Sequence, residues 1–455
     1  MGIFPPMTTS GHEIEQLRAR LEALAAAGDL AALRESAGEL HPSDLADLIE
    51  SLDDAQRVEF LSALPAELAS EALAEMEEGE DRADLLAALT PEKGAQLLHE
   101  LPDDDAADLI GELEPKEQRR LLAALPVEEA GEIEELLQYG EETAGGLMTT
   151  ELVEVVSSIT AGEAIQQVRA QGREVENFYT VFVVNHERHL LGTLPLDQLV
   201  VADPDASIDA LVEDPVATVL PDEDQERVGK LIGRYNLASI PVVSDEGVLL
   251  GRITFDDVID VIEAEQTEDI LMLAGVTDDD ELWHSWPQSV RVRLPWLLLN
   301  LVTAALAASV ILIFEATIDR VLTLAFIMPI IAAMGGSSGT QSLAVTIRRI
   351  TLQGHGSARG FVLKEILIGL VNGAVLGSGI AILAVMVGGS PMLGVVVFFA
   401  MWGNQVVAGF AGAFIPTTLD RMGVDPSIAS SVFVHTLTDL CGFFLLLGLA
   451  SKLLL

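Results

Sequence analysis

Hydrophobic and polar positions fall into three regimes along the chain. Between residues 30 and 138, Leu52, Leu64, Met76, Leu89, Leu101, Leu113, Leu125 and Leu137 recur every twelve or thirteen residues. Proline follows within two positions in several units, as Pro65, Pro91, Pro102, Pro115 and Pro126. Proline is tolerated in the first turn of a helix, so each unit predicts a short helix closed by leucine and a next one opened by proline. The pattern predicts a curved stack of short helices, preceded by an amphipathic helix over His12–Ala27. At Tyr139–Met148 three glycines break the rhythm, which predicts a hinge.

The second regime is a repeat. Thr180-VFVV-NHERH-LLGTLPLDQLV aligns with Ser239-IPVV-SDEGV-LLGRITFDDVI at a constant offset of 59. In each copy two β-branched runs flank a polar turn and a helix follows. A strand over Val216–Val219 and a helix capped by Asp222, with Gln225 three residues on, precede the second copy. His186 and His189 in the first turn have a metal-ligand spacing, but an exposed hairpin turn is the favoured reading.

The third regime is apolar. Segments near 294–314, 321–347, 361–387, 393–416 and 428–455 are each long enough to cross a hydrocarbon core of ~30 Å. In the last, Asp439 stands about 17 Å along a helix from Ile428, near mid-membrane. A carboxylate there costs roughly 2.5–3.5 kcal/mol to insert unless it is neutralised, hydrogen-bonded or used. Ser431, His435 and Asp439 are four residues apart in turn and share one helix face, with Thr436 beside it. Such a face suits a pore; the alternative for Asp439 is a structural hydrogen bond to a neighbouring helix. In the second segment, Pro329 and the run Gly335-Gly336-Ser337-Ser338-Gly339-Thr340-Gln341 predict either a broken helix lining a cavity or a small-residue packing seam.

Charge follows the same division. The net charge is −46, yet half the residues are hydrophobic and the mean hydropathy is +0.39. Residues 1–290 hold 65 acids and 16 bases, near −49; residues 291–455 hold six acids and nine bases, near +3. A polyacidic half repels nucleic acid and attracts cations. Basic residues in the apolar half favour the side of the soluble half (Arg291, Arg293, Arg348, Arg349, Arg359, Lys364, Arg421). That predicts a cytoplasmic N-terminus and an external C-terminus. The N-terminus lacks a secretory signal, and the single cysteine, Cys441, excludes an intrachain disulfide. No P-loop, Gly-x-Ser-x-Gly or HExxH is present.

Acids concentrate in DDVIDVIEAEQTEDI at 256–270, where Val258, Val261 and Ile262 keep helical spacing. Asp257, Asp260, Glu265, Glu268 and Asp269 project from the other faces. Asp104 and Asp108 are one helical turn apart, as a solvated face or as ligands. Carboxylates at this density repel one another, and a hard divalent ion with oxygen ligands relieves the repulsion.

The repeated unit resembles a tandem pair of cystathionine-β-synthase (CBS) domains. Their nucleotide signature, Gly-x-x-Ser/Thr-x-x-Asp, survives as Gly251, Thr254 and Asp257. It is lost in the first copy, which has Gly192, Pro195 and Gln198. One candidate ATP half-site therefore remains, at Thr254 and Asp257.

The whole chain resembles the MgtE family of magnesium channels. The matching runs are HPSDLADLIE at 41–50, TAGGLMT at 143–149, the 256–270 run, the Pro329 and Gly/Gln segment, KEILIGLVNG at 364–373, GVDPSIAS at 423–430 and TLTDLCGFF at 436–444. The resemblance implies a multidomain fold: an all-α superhelical N-domain (12–138), an α/β tandem CBS pair (139–205 and 206–265), a connecting plug helix (266–290) and an all-α five-helix transmembrane domain (291–455). It implies a homodimer in the cell (inner) membrane, in contact with lipid and not with nucleic acid, taking up Mg2+. Asp439 is the implied pore carboxylate, with Pro329, Gly336, Ser337, Gln341, Ser431, His435 and Thr436 lining the path. Regulatory Mg2+ is implied at Glu71, Asp104, Asp108, Asp224, Glu226, Asp257, Asp260, Glu265, Glu268 and Asp269, closing the pore when cytosolic Mg2+ is high. The alternatives are a Co2+ or Mn2+ channel, a coupled Mg2+ exporter and a membrane-anchored nucleotide-sensing regulator. Ser337 and Ser431 stand where the family often has asparagine, and His435 where it commonly has a small residue. Ion preference and pH response are the properties these departures touch.

Overall fold

The computed structural model describes residues 40–76, 80–173, 175, 178–276, 286–353, 358–388, 390–427 and 430–455, with residues 24, 32, 37 and 38. The helix expected over His12–Ala27 lies, apart from Leu24, outside the described residues. The chain forms two compact units, Met1–Ile262 and Glu263–Leu455.

Among the described residues, eight short helices lead the first unit. They are α1 (Pro42–Glu50), α2 (Asp54–Ala63), α3 (Ala66–Ala74), α4 (Glu80–Ala88), α5 (Pro91–Leu98), α6 (Asp103–Gly111), α7 (Pro115–Leu122) and α8 (Val127–Leu136). Prolines sit where the spacing predicts: Pro42, Pro91 and Pro115 in first turns, Pro65, Pro102 and Pro126 at N-caps. Each helix packs on the one two places along, α1 on α3, α3 on α5, α5 on α7, and α2 on α4, α4 on α6, α6 on α8. The recurring residues explain this zigzag. Leu52, Leu64, Met76, Leu89, Leu113 and Leu125 are buried where one helix turns into the next, so every corner contributes to one continuous core.

Two α/β repeats follow. In the first, β1 (Glu154–Val156), β2 (Thr180–Val184) and β3 (Leu190–Pro195) form a sheet in that order, with α9 (Ala161–Gln171) and α10 (Leu196–Val201). In the second, α11 (Gln225–Tyr235) precedes the hairpin of β4 (Ser239–Val243) and β5 (Leu249–Thr254). The 59-residue offset holds to the residue for both strands, for the start of the following helix and for the register shift at Val183/Val184 and Val242/Val243. Val219 joins the second sheet by a single parallel bridge to Val242, a shorter contact than the predicted strand. The repeats meet through Leu152, Phe182, Val184, Val243 and Leu249.

Tyr139–Met148 is a packed strap rather than the expected hinge. Ala144 N donates to Glu223 O at 2.7 Å and Gly145 N to Pro221 O at 2.8 Å. Ala144 and Met148 are buried. A Cβ on Gly145 would sit 2.5 Å from the Tyr139 ring; the glycine serves close approach, not mobility. The helix after β5, α12 (Phe255–Ala274), runs past residue 265 without interruption, so the connecting segment starts as a continuation of the last repeat's helix.

In the second unit five helices are long and apolar enough to cross a membrane: Trp286–Ile313, Thr323–Thr351, Gly360–Val387, Pro391–Arg421 and Ser431–Leu453. They belong to α13 (Trp286–Ile313), α15 (Thr323–Gln353), α16 (Ala358–Gly388), α17 (Pro391–Arg421) and α18 (Ser430–Leu453), with a short α14 (Glu315–Arg320) after the first. α17 is the central helix, packed on α15, α16 and α18, while α13 touches chiefly α18.

The reading of the second segment as a broken helix is overturned. α15 is continuous through Pro329 and the glycine run, and the small-residue alternative holds. A Cβ on Gly339 would lie 2.5 Å from Val434, and one on Gly412 would lie 2.6 Å from Gly339 O. Glycine lets three helix backbones close on one another.

Candidate functional site

The acidic residues of the first unit converge where α6 meets the second repeat. Three successive aspartates open α6 at the positive end of its dipole. Asp103 is buried and bonded: its Oδ1 accepts from Thr149 Oγ1 at 2.5 Å and Thr150 N at 3.2 Å, and its Oδ2 accepts from Thr150 Oγ1. It fastens α6 to the segment leading into the repeats. Asp104 Oδ1 is hidden from solvent and has no hydrogen-bond partner among the described residues. Burial first, then the charges of Asp105, Asp257, Asp103 and Asp108, hold the Asp104 carboxyl well above the usual carboxylate range. Burial and then Asp257 push Asp105 up to about 6, against the pull of Arg82. Asp257 is itself raised by burial, opposed by the hydrogen bond from Thr254 Oγ1. Arg252 is buried, and its Nε donates to Glu151 O at 2.8 Å.

This donor set fits Mg2+. It consists of hard oxygens, one of them buried without a partner, in a field of like charge. Among the described residues no three His, Cys, Asp or Glu side chains form a ready-made metal cage. Mg2+ does not need one, because it keeps several waters and is commonly held by one or two carboxylates.

The remaining sequence candidates divide. Asp108 and Asp260 are exposed on α6 and α12; Asp108 contributes charge to Asp104. Glu71 is exposed on α3, and its backbone O accepts from the C-cap Glu75 N at 3.1 Å. Asp224 is exposed and caps α11, accepting from Glu226 N at 2.8 Å; Glu226 reaches Lys230 at 2.5 Å. Those two already have structural work. Glu265, Glu268 and Asp269 are partly exposed on the far part of α12. His189 bridges to Val248 through its backbone and His186 is exposed. At the nucleotide signature, Thr254 is buried and its hydroxyl is engaged by Asp257. In the first copy, Gln198 Nε2 instead donates to Glu213 at 3.1 Å.

Two residues of this region escape a sequence reading. Asp103 and Asp105 flank the singled-out Asp104, and the triple Asp-Asp-Asp at a helix start was the available signal. Asn236 closes α11 in the left-handed conformation, at φ 51°, which asparagine adopts with little penalty.

In the second unit, Asp439 lies half-buried on α18. Among the described residues its carboxylate has no hydrogen bond or ion pair. His435, one turn earlier, is exposed, and its Nδ1 lies 2.8 Å from Ser431 O. Ser431 and Thr436 are partly exposed; the Thr436 hydroxyl is satisfied by Val432 O. On α15, Gly336 is buried against the His435 ring, while Pro329, Ser337 and Gln341 are exposed. α17 supplies two fully buried amides. Asn404 Nδ2 donates to Ile331 O at 3.1 Å and Gln405 Nε2 to Met334 O at 2.9 Å; Ser338 Oγ donates to Gln405 Oε1. These clamp α15 at its glycine run. Asn404 reads in sequence as scattered polar glue, and Gln405 goes unnoticed. Lys364 lies over the Phe361 ring at 5.4 Å, and Glu365 is buried. The two do not form the local pair their adjacency suggests.

Family profiles match three stretches of the chain: the MgtE intracellular N domain over residues 40–142, a CBS domain over 207–264 and a divalent cation transporter over 328–449. The magnesium transporter MgtE of Thermus thermophilus is 35% identical over 470 residues, spanning 97% of this chain and 99% of the relative. The chain belongs to the MgtE family of magnesium transporters. The Enterococcus faecalis MgtE is 40% identical over 415 residues, covering 90% of this chain and 91% of the relative. Two solved structures resemble the soluble part. One is the soluble part of a magnesium transporter (35% identity, TM-score 0.50, 56% of this chain, 99% of that one). The other is the cytosolic domain of the Mg2+ channel MgtE in complex with ATP (36% identity, TM-score 0.51, 54% and 99%). MgtE proteins are transporters, which sets an enzyme aside.

Proposed function

We propose that this MgtE chain passes Mg2+ across the membrane along the polar face of α18, with Asp439 as the carboxylate that holds the hydrated ion. The observation that carries this reading is Asp439 itself: a carboxylate in a membrane-spanning helix, without a protein partner among the described residues, beside exposed His435. Ser431, Thr436, Pro329, Gly336, Ser337 and Gln341 complete the path on α18 and α15. The pore runs along the interface of a homodimer. Mg2+ flux into proteoliposomes tests this. An Asp439→Ala variant is expected to lose most of the flux, and flux equal to the parent would sink the assignment.

The acidic half acts as the sensor. Bringing Asp104, Asp105 and Asp257 together is unfavourable without a cation, and Mg2+ makes it favourable. Asp104, Asp108, Asp257 and Asp260 are the central ligands. Glu71, Asp224, Glu226, Glu265, Glu268 and Asp269 extend the sensing surface. High Mg2+ on the soluble side favours the packed, closed state as a shift of population. The domain division that goes with this is a helical N-domain to 138, a CBS pair over 139–265, a connecting helix and the membrane domain. The soluble half and N-terminus are cytoplasmic by the distribution of basic residues. ATP, the ligand in the related cytosolic-domain structure, has one half-site here, at Thr254 and Asp257. Since Asp257 belongs to both sites, ATP and sensing Mg2+ are coupled.

A further inference from the structure

We infer that His435 Nε2 and Asp439 together form a pore site for borderline transition-metal ions, Zn2+ foremost, at which Zn2+ binds tightly enough to block Mg2+ passage. The inference rests on the reading of this α18 face as the pore.

The imidazole is set in one tautomer. Its Nδ1 lies 2.8 Å from Ser431 O, and a carbonyl oxygen only accepts, so Nδ1 carries the hydrogen. The neutral ring's lone pair is therefore on Nε2. Among the described residues Nε2 has no hydrogen-bond partner, and the residue is exposed. Metal-binding histidines almost always donate their second ring N–H to a carbonyl, carboxylate or water, which fixes the ring and raises its basicity. Here that supporting bond is made by the pore helix itself.

The neighbouring helix leaves room for the ring in this position. A Cβ on Gly336 would lie 2.8 Å from His435 Cδ2 and 3.1 Å from Nε2. A larger residue would push the imidazole away, so Gly336 acts as its seat. Asp439 is one turn further along the same face, the i, i+4 relation that brings side chains together on a helix.

The two ions use this pair differently. Mg2+ takes oxygen ligands and dehydrates reluctantly, so Asp439 holds it through its waters and releases it. Zn2+ accepts imidazole nitrogen and carboxylate oxygen directly in a four-coordinate shell, and imidazole is a ligand that suits it. Conduction needs an ion that leaves readily, and direct nitrogen ligation slows leaving.

The test uses the full-length chain in proteoliposomes, with Mg2+ flux measured against added Zn2+ and normalised to each variant's own uninhibited flux. His435→Ala and His435→Gln are expected to raise the Zn2+ concentration for half-block by about tenfold or more, as loss of a direct ligand does. Half-block within about twofold of the parent in both variants overturns the inference. Visible absorption of Co2+ bound to the detergent-solubilised protein gives a readout independent of transport. Zinc-like sites on the acidic half are common to parent and variants and cancel in the difference. A band lost on His435→Ala supports nitrogen ligation, and superimposable spectra overturn it. If the parent carries no Mg2+ at all, the proposed function fails, and the Co2+ difference decides this inference by itself.

Discussion

Asp103, Asp104 and Asp105 are consecutive and identical in chemistry, yet their surroundings separate them. Asp103 is satisfied by Thr149 and Thr150, Asp104 keeps a buried oxygen without a partner, and Asp105 is pushed up to about 6 from an ordinary 3.8. A raised carboxyl means that the folded state holds the proton more tightly than the unfolded chain does. The stabilisation from Asp105 is therefore fully present below about pH 3.8 and is lost as pH rises through about 6. In the full-length protein with Mg2+ chelated, amide exchange over residues 103–111 is expected to quicken between pH 5 and pH 7 by more than intrinsic exchange does. Adding Mg2+ at pH 7 should restore protection. Equal protection at both pH values, corrected for intrinsic rates, would contradict this. Arg82 shows the opposite case, a buried cation fully used. Its guanidinium pairs with both oxygens of Glu112 and donates to Ala74 O at 3.1 Å and Met76 O at 3.3 Å. An Arg82→Leu change removes these buried contacts from Glu112 and both carbonyls. It is expected to cost the N-terminal helices roughly 3–5 kcal/mol, read as a lower denaturation midpoint for that region.

Among the elements, most helices were legible because local physics makes them. Leucine spacing and first-turn prolines locate the short helices, and the 59-residue offset locates both hairpins. The failures occur where one local signal supports two structures. The Gly335–Gly339 run permits a broken helix, but it equally permits close packing, and only α17 and α18 decide which. The amide clamp of Asn404 and Gln405 is invisible in sequence because its acceptors, Ile331 O and Met334 O, belong to the backbone of another helix. Tyr139–Met148 looks loose by composition, yet its glycines allow contact with Tyr139 and Gly140 O. The packing reading makes its own prediction. A Gly412→Leu side chain meets Gly339 O, a backbone atom that cannot yield. Overpacking of this kind costs about 1–3 kcal/mol, so the detergent-solubilised variant should melt at a lower temperature; an unchanged melting temperature would count against a tight α15–α17 seam. At the candidate sites, Asp104, Asp257, His435 and Asp439 stand out in the sequence as candidates. Asp103 and Asp105 do not, because their surroundings depend on which loop each faces.

At the scale of the whole molecule the charge division is the organising fact, near −49 in residues 1–290 and near +3 beyond. An acidic half of this density is held apart by its own repulsion. In the proposed account the ion that the membrane half carries also neutralises the acidic half, which would join transport to regulation without a separate messenger. The measurement that tests the coupling most directly is Mg2+ flux through the full-length protein as Mg2+ on the soluble side is raised, compared with an Asp104→Asn/Asp257→Asn variant. Flux through the parent should fall as soluble-side Mg2+ rises, and the variant should stay conducting at concentrations that close the parent. Inhibition of the variant at the same Mg2+ concentration as the parent would contradict a gate closed through these carboxylates.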